Sequence, residues 1–421
     1  MMRKSLIILT VLLIVVTGAC LSDGDISQAQ SKKVGRAVPD SLSTSDPIAK
    51  GISFELNANK PYVPVRINNT EPYWFILDTG SISNVVDAER AKSLGIATSG
   101  SSEATGAGEG SLTSSTGKDV SLSLNELKLA KQDLTILPIN AAISFSEGRM
   151  VDGLLGYDFF NRFVVEIDYA NRRINIYEPQ TFKYTGEGES IPLEIERGNI
   201  FVNARLVLPS GKRVMGRFVV DTGWRSALSL TTPFVQAQKL LATTQTVVAT
   251  TGVGIGGATT DSVGRIESLQ LGRYTIKSPV ATFSKSKGGI LAEDNMSGIM
   301  GGEVLRRFKV IFDYPQRRMI LESTAHFDEP YEFDMSGLFI TAEGKDLKIF
   351  KVYKVMTNSP GFEARLREGD LIEAINNRPA ASMSLEQIRQ MFKQEAGKKY
   401  LLSVRRGDKM LETKIKLRRL I

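Results

Sequence analysis

Trp74-Phe75-Ile76-Leu77-Asp78-Thr79-Gly80-Ser81 is a run of four apolar residues that ends in an aspartate, a threonine and a glycine. An unbroken apolar run reads as a strand covered on both faces. A carboxylate at its end arrives where water is scarce, and a lone charge there is costly without a partner. The partner is found in Arg217-Phe218-Val219-Val220-Asp221-Thr222-Gly223, which repeats the pattern 143 residues later. Asp-Thr-Gly alone is an ordinary strand exit, because Gly permits positive φ and Asp bonds nearby amides. The significance lies in how far the repetition extends.

Asp152-Gly153-Leu154-Leu155-Gly156 follows the first motif, and Ser297-Gly298-Ile299-Met300-Gly301 follows the second at a similar distance. Phe163-Val164-Val165-Glu166-Ile167-Asp168-Tyr169 matches Phe308-Lys309-Val310-Ile311-Phe312-Asp313-Tyr314 after a shift of 145 residues. Self-similarity at one long period indicates a duplicated unit. Each unit supplies one buried-strand aspartate, so a pseudo-twofold arrangement would set two carboxylates face to face. Two carboxylates held that close share a proton and titrate as a pair.

The paired motifs resemble the two-lobed, pepsin- and retropepsin-like aspartic proteases. The resemblance covers roughly residues 50 to 325. It implies Asp78 and Asp221 as the catalytic pair, without metal or other cofactor. Thr79 and Thr222 would brace the two loops through hydroxyl-to-backbone bonds, Gly80 and Gly223 would complete the turns, and Ser81 would bond its own lobe's aspartate. One position departs from the family: Trp224 stands where a Ser or Thr is usual. It reads either as a packing residue or as a subsite wall.

Glycine-rich stretches follow each aspartate: Thr105-Gly106-Ala107-Gly108-Glu109-Gly110 and Thr251-Gly252-Val253-Gly254-Ile255-Gly256-Gly257. Their placement resembles flap hairpins, with Gly106, Ala107, Gly108, Gly252, Val253 and Gly254 over the substrate. A phosphate-loop reading of the second stretch fails, since no Lys-Ser/Thr follows. Strands are expected at Pro61 to Ile67 and Val214 to Val220, and paired strands within Phe163 to Tyr177 and Phe308 to Leu321. Short helices are expected at Asp87 to Leu94 and Thr232 to Leu241, with the lobe boundary near Thr185 to Glu189.

The C-terminal segment has another character. Ser336-Gly337-Leu338-Phe339-Ile340, Asn358-Ser359-Pro360-Gly361 and Gly369-Asp370-Leu371-Ile372 resemble a bacterial PDZ domain. Helical apolar spacing recurs at Leu385, Ile388 and Phe392. The resemblance implies that Gly337, Leu338 and Phe339 receive a peptide C-terminus, which adds as a strand. The competing reading is a degenerate PDZ that only packs on the protease.

At the other end, Arg3 and Lys4 precede the apolar run Leu6 to Val16, which closes on Thr17-Gly18-Ala19-Cys20. This is a secretory signal. Cys20, the chain's single cysteine, resembles a lipoprotein acceptor, and plain cleavage after Ala19 competes with that reading. One cysteine excludes a disulfide framework and a Cys-based metal cluster. One histidine, His326, leaves no ordinary Ser-His-Asp set to assemble, which disfavours a trypsin-like protease.

The net charge of +7 is concentrated after residue 330, where 18 Lys/Arg face 12 Asp/Glu. No nucleic-acid motif accompanies it, so it reads as a solvated surface. The expectation is a mainly β chain: signal 1–19, disordered tether 20–49, protease N-lobe 50–185, C-lobe 186–329 and a small α+β PDZ domain 330–421. Functionally it reads as an exported, monomeric aspartic endopeptidase of the cell envelope, acting on polypeptides. The alternative is a catalytically degenerate peptide-binding scaffold.

Overall fold

The chain is described by a computed structural model covering residues 46–244 and 248–421; Cys20 and the signal region lie outside the described residues. Among the described residues the fold is mainly β, with four sheets. Two sheets each carry one Asp-Thr-Gly strand, a third joins the two halves, and the fourth is the C-terminal domain.

Tyr73–Leu77 lies inside the first sheet, antiparallel to Lys60–Ile67 on one side and parallel to Gly153–Leu155 on the other. Both edges are hydrogen-bonded, and Phe75, Ile76 and Leu77 are buried. That explains the unbroken apolar run, because an interior strand covered on both faces has no position for an outward polar residue. Arg213–Asp221 is built alike, between antiparallel Asn199–Val207 and parallel Gly298–Gly301. The same local sequence thus yields the same local structure twice.

The joining sheet has six strands. At its centre Val164–Asp168 runs antiparallel to Phe308–Asp313, and Glu166 pairs with Ile311. Those two residues are equivalent under the 145-residue shift, so the repeat pairs with itself there. Outer strands Ala49–Ser53 and Glu189–Pro192 complete this sheet on its two edges. The main core runs continuously through both halves, from Ala49 to Tyr331.

The expected helices form, with one change. Ala88–Ser93 begins at Asp87, whose carboxylate accepts from the amides of Glu89 and Arg90. The single helix expected at Thr232 to Leu241 is two, Thr232–Ala237 and Leu240–Thr243, broken at Lys239 with φ 54°. A left-handed residue cannot continue a right-handed helix.

The C-terminal domain has its own core, built on Ile340, Val352, Ile372, Leu385, Ile388, Phe392 and Leu402 among others. Its main strands are Leu338–Glu343, Ile349–Val355, Leu371–Ile375, Lys399–Arg406 and Lys409–Lys416. The helix Leu385–Met391 opens with a capping box between Ser384 and Gln387. Leu338–Glu343 is an edge strand, paired among the described residues only with Ile349–Val355.

Candidate active site

Asp78 and Asp221 leave the ends of their interior strands and meet. A Cβ added at Gly80 would lie 2.4 Å from Asp221 Oδ2, and one at Gly223 would lie 2.5 Å from Asp78 Oδ2. Each carboxylate therefore sits over the glycine of the other's motif, and no larger residue fits at either place. The Gly80 amide donates to Asp78 Oδ1 at 3.0 Å, and the Gly223 amide to Asp221 Oδ1 at 2.7 Å.

Below them the threonines cross. The Thr79 amide donates to Thr222 Oγ1 at 3.1 Å, and the Thr222 amide donates to Thr79 Oγ1 at 3.0 Å. The hydroxyls then donate onward, Thr79 to the Val220 carbonyl at 2.8 Å and Thr222 to the Leu77 carbonyl at 2.6 Å. Both side chains are fully buried. Four bonds in a dry interior lock the two loops together, and losing one partner would strand the other.

Burial pushes both carboxyls up. At Asp221 the Asp78 charge adds to burial, and the Lys60 ammonium opposes the rise in both. A proton shared by such a pair is the expected result of like charges in low dielectric. Tyr314 and Tyr169, equivalent positions of the repeat, lie buried nearby, with hydroxyls that have no hydrogen-bond partner among the described residues. Burial, and secondarily the carboxylate charges, hold both phenols neutral well above their usual range.

Ser81 differs from expectation. Its hydroxyl donates to the Ser83 carbonyl at 2.8 Å, and only its backbone amide reaches Asp78. Trp224 is half-buried and packs with Phe201, Val219, Leu291, Met296 and Ile299. Its indole N–H donates to Ser229 Oγ at 2.9 Å. It thus packs against its own lobe, and Asp221 receives no hydroxyl bond from this position.

The glycine-rich stretches form the tips of two hairpins, Thr98–Thr105 with Ser111–Leu124 and Val248–Gly254 with Gly257–Arg265. The tips bind each other. The Gly108 amide donates to the Ile255 carbonyl at 2.8 Å, and Gly110 to Gly256 at 2.9 Å. A Cβ at Gly108 would lie 2.2 Å from the Gly256 carbonyl carbon, and one at Gly254 would lie 2.6 Å from the Ala107 Cβ. These glycines are required by tip-to-tip contact. Gly106 accepts from the Ile290 amide at 3.0 Å, while Gly252 and Val253 lie within the ladder of the second hairpin.

In the C-terminal domain, the Gly337 amide donates to Asp334 Oδ1 at 2.7 Å and the Leu338 amide to Ser336 Oγ at 3.1 Å. Of the amides expected to await a ligand, that of Gly337 is therefore taken by an internal carboxylate and that of Leu338 by the Ser336 hydroxyl. Phe339 packs edge-on against Tyr353.

Sequence reasoning missed a cluster beside the dyad. Glu147 is buried and binds Lys60 Nζ at 3.0 Å, Tyr62 Oη at 3.1 Å and Arg225 at 3.1 Å. Burial alone would raise its carboxyl, but the Lys60 and Arg225 charges outweigh it and hold the group down at about 2. The one available signal was the lysine opening the strand Lys60–Ile67, next to a run that is otherwise buried.

Two family models match the chain: an aspartyl protease over residues 63–159 and a PDZ domain over residues 351–406. The first spans Asp78 and Leu154-Leu155-Gly156, so the second half of the body rests on the internal repeat. The chain is also 24% identical over 173 residues to a probable CtpA-like serine protease of Staphylococcus haemolyticus, covering 41% of this chain. The match spans about a third of that relative, 33% of its length. The architecture is an aspartyl protease segment with a PDZ domain at the C-terminus.

Proposed function

We propose that this chain, which joins an aspartyl protease segment to a PDZ domain, is an exported aspartic endopeptidase. The observation that carries the reading is the reciprocal seating of Asp78 and Asp221, each against the other's glycine. In that arrangement one carboxylate takes a proton from water as the water attacks a peptide carbonyl. The other, protonated, polarises the carbonyl oxygen and then supplies a proton to the leaving amine. The peptide lies extended between the dyad and the two hairpin tips, which exclude bulk water. Export places substrates in the cell envelope, with Cys20 as the lipid attachment point and the PDZ domain binding peptide segments of substrates or partners.

A serine-type reading draws on the name of the Staphylococcus haemolyticus relative. It finds little support around His326: its Nδ1 is bonded to Glu329 at 2.6 Å, as a triad histidine would be, but among the described residues no serine hydroxyl is bonded to the ring. A non-catalytic scaffold is favoured by one observation, the absence of a hydroxyl bond to Asp221 at Trp224.

The test is cleavage of an unfolded protein substrate at acid pH by the full chain, Asp78→Asn and Asp221→Asn. Each substitution is expected to lower kcat by at least roughly 10³-fold. Unchanged turnover in both variants dismisses the dyad, and no turnover in the wild type with peptide binding retained supports the scaffold. Labelling with a fatty-acid analogue, lost in Cys20→Ser, checks the anchor.

A further inference from the structure

The two halves present the same strand pair beside each aspartate, but the facing residue differs. In the first half Tyr62 pairs with Ile76, and the register carried two residues further sets Lys60 opposite Asp78. In the second half Phe201 pairs with Val219, and the same extension sets Asn199 opposite Asp221. Lys60 is buried at 8% exposure, where an ammonium needs both a partner and a reason. Its partner is Glu147 Oε1 at 3.0 Å. Its field falls on both carboxyls of the dyad.

Glu147 is itself held from outside the protease body. The segment Phe145–Glu147 packs on the PDZ edge strand Leu338–Glu343. Arg389, on the PDZ helix Leu385–Met391, donates to the Ser146 carbonyl at 2.7 Å and to the Ile340 carbonyl at 3.1 Å. A Cβ added at Gly148 would lie 2.5 Å from the Leu385 Cβ, so the next turn is also seated on that helix. Arg225 closes the cluster from the second half, bonding both Ser146 O and Glu147 Oε1 at 3.1 Å.

We propose that Lys60 is a positioning residue that makes Asp78 the ionised member of the dyad and leaves the shared proton on Asp221, and that the PDZ domain keeps it there by holding Glu147. The inference rests on reading Asp78 and Asp221 as a working dyad. It assigns the roles that the duplication leaves symmetric: Asp78 takes the proton from water, and Asp221 donates to the carbonyl oxygen. The charged and titratable groups around the pair are Lys60, Tyr169 and Tyr314 near the carboxyls, with Glu147, Tyr62, Arg149, Arg225 and Arg389 behind the lysine. Of these, Lys60 is the cation that acts on both carboxyls.

The experiment is carboxyl ¹³C NMR titration of the full chain labelled at aspartate, with Asp78→Asn and Asp221→Asn for assignment, alongside pH–rate profiles. In the wild type the lower titration step is expected at Asp78 and the upper at Asp221. Lys60→Met is expected to raise the lower step by about one pH unit, with the acid limb of kcat/KM moving upward alike. Lys60→Arg should restore the wild-type position. Arg389→Ala should move the step the same way by less. If Lys60→Met fails to fold, Lys60→Gln, which can still hydrogen-bond Glu147, carries the same expectation.

A lower step assigned to Asp221 overturns the proposal. So does a step unmoved in the lysine variants while Tm falls, which is the mark of a purely structural lysine. Because the NMR titration needs no turnover, a chain that cleaves nothing yet shows the shift retains this inference and loses only the peptidase reading.

Discussion

The two Asp-Thr-Gly loops are alike in every bond that the duplication dictates and differ in what surrounds them. Each rides on an interior strand, each aspartate accepts from the glycine two residues on, and each threonine donates across to the other half. Around this shared frame the extended register sets Lys60 opposite Asp78 and Asn199 opposite Asp221; the first loop continues as Ser81 and the second as Trp224. Symmetry assembles the pair, and the departures from symmetry make its members unequal. Sharing a single proton needs only the first; the second bears on which carboxyl holds it.

Replacing either central glycine probes the symmetric part most severely. Gly80→Ala and Gly223→Ala each drive a methyl into the opposite carboxylate, where the available gap is 2.4 to 2.5 Å. Both should lose activity by more than about 10³-fold, to a similar extent, in a peptide-cleavage assay. A tenfold difference between them would break the comparison.

Glu147→Gln tests the asymmetric part. It strips the negative charge from a buried site that holds Lys60 and Arg225, and should destabilise the protein by about 3 kcal/mol by urea unfolding at neutral pH. Its depressed carboxyl gives stability that is present above the ordinary value near 4.5 and is lost as pH falls toward about 2. The gap between wild type and Glu147→Gln should therefore narrow over that window.

Thr79→Val and Thr222→Val return to the symmetric part. Each removes one donor and one acceptor from the buried cross, at about 2 kcal/mol, and the double variant should cost less than their sum. The smallest effect concerns the carboxyls themselves. Both have raised folded-state values, so their charged forms oppose folding; this cost is absent at low pH and grows as pH rises through the folded value. Asp221→Asn should therefore stabilise the chain at pH 7 by about 1 kcal/mol, visible in Tm, and the gain should vanish in acid. Asp78→Asn, opposite Lys60, should gain less.

Much of this was legible in the chain. The apolar runs ending at Asp78 and Asp221 fix two interior strands, since few other environments accept them. The shift of 145 residues from Phe163 to Phe308 anticipates the paired hairpins of the joining sheet. Ser81 and the PDZ loop were less legible. A serine after a glycine bonds whichever carbonyl the turn brings nearest, here Ser83, and the Asp334 carboxylate reaches the Gly337 amide only through a local turn. Both glycine stretches form hairpin tips, but their contact with each other required both hairpins at once.

Local patterning by itself settled the strands, the duplication and the identity of the two acids, because burial on both faces leaves its mark within a few residues. Tertiary structure alone decided which acid faces a cation and what holds that cation. Lys60 and Glu147 lie 87 positions apart, and Ser146 and Arg389 lie 243 apart, so neither contact has a periodic trace in the chain. Such pairs are fixed by strand register and by the packing of one domain's edge on another, which are properties of the folded whole.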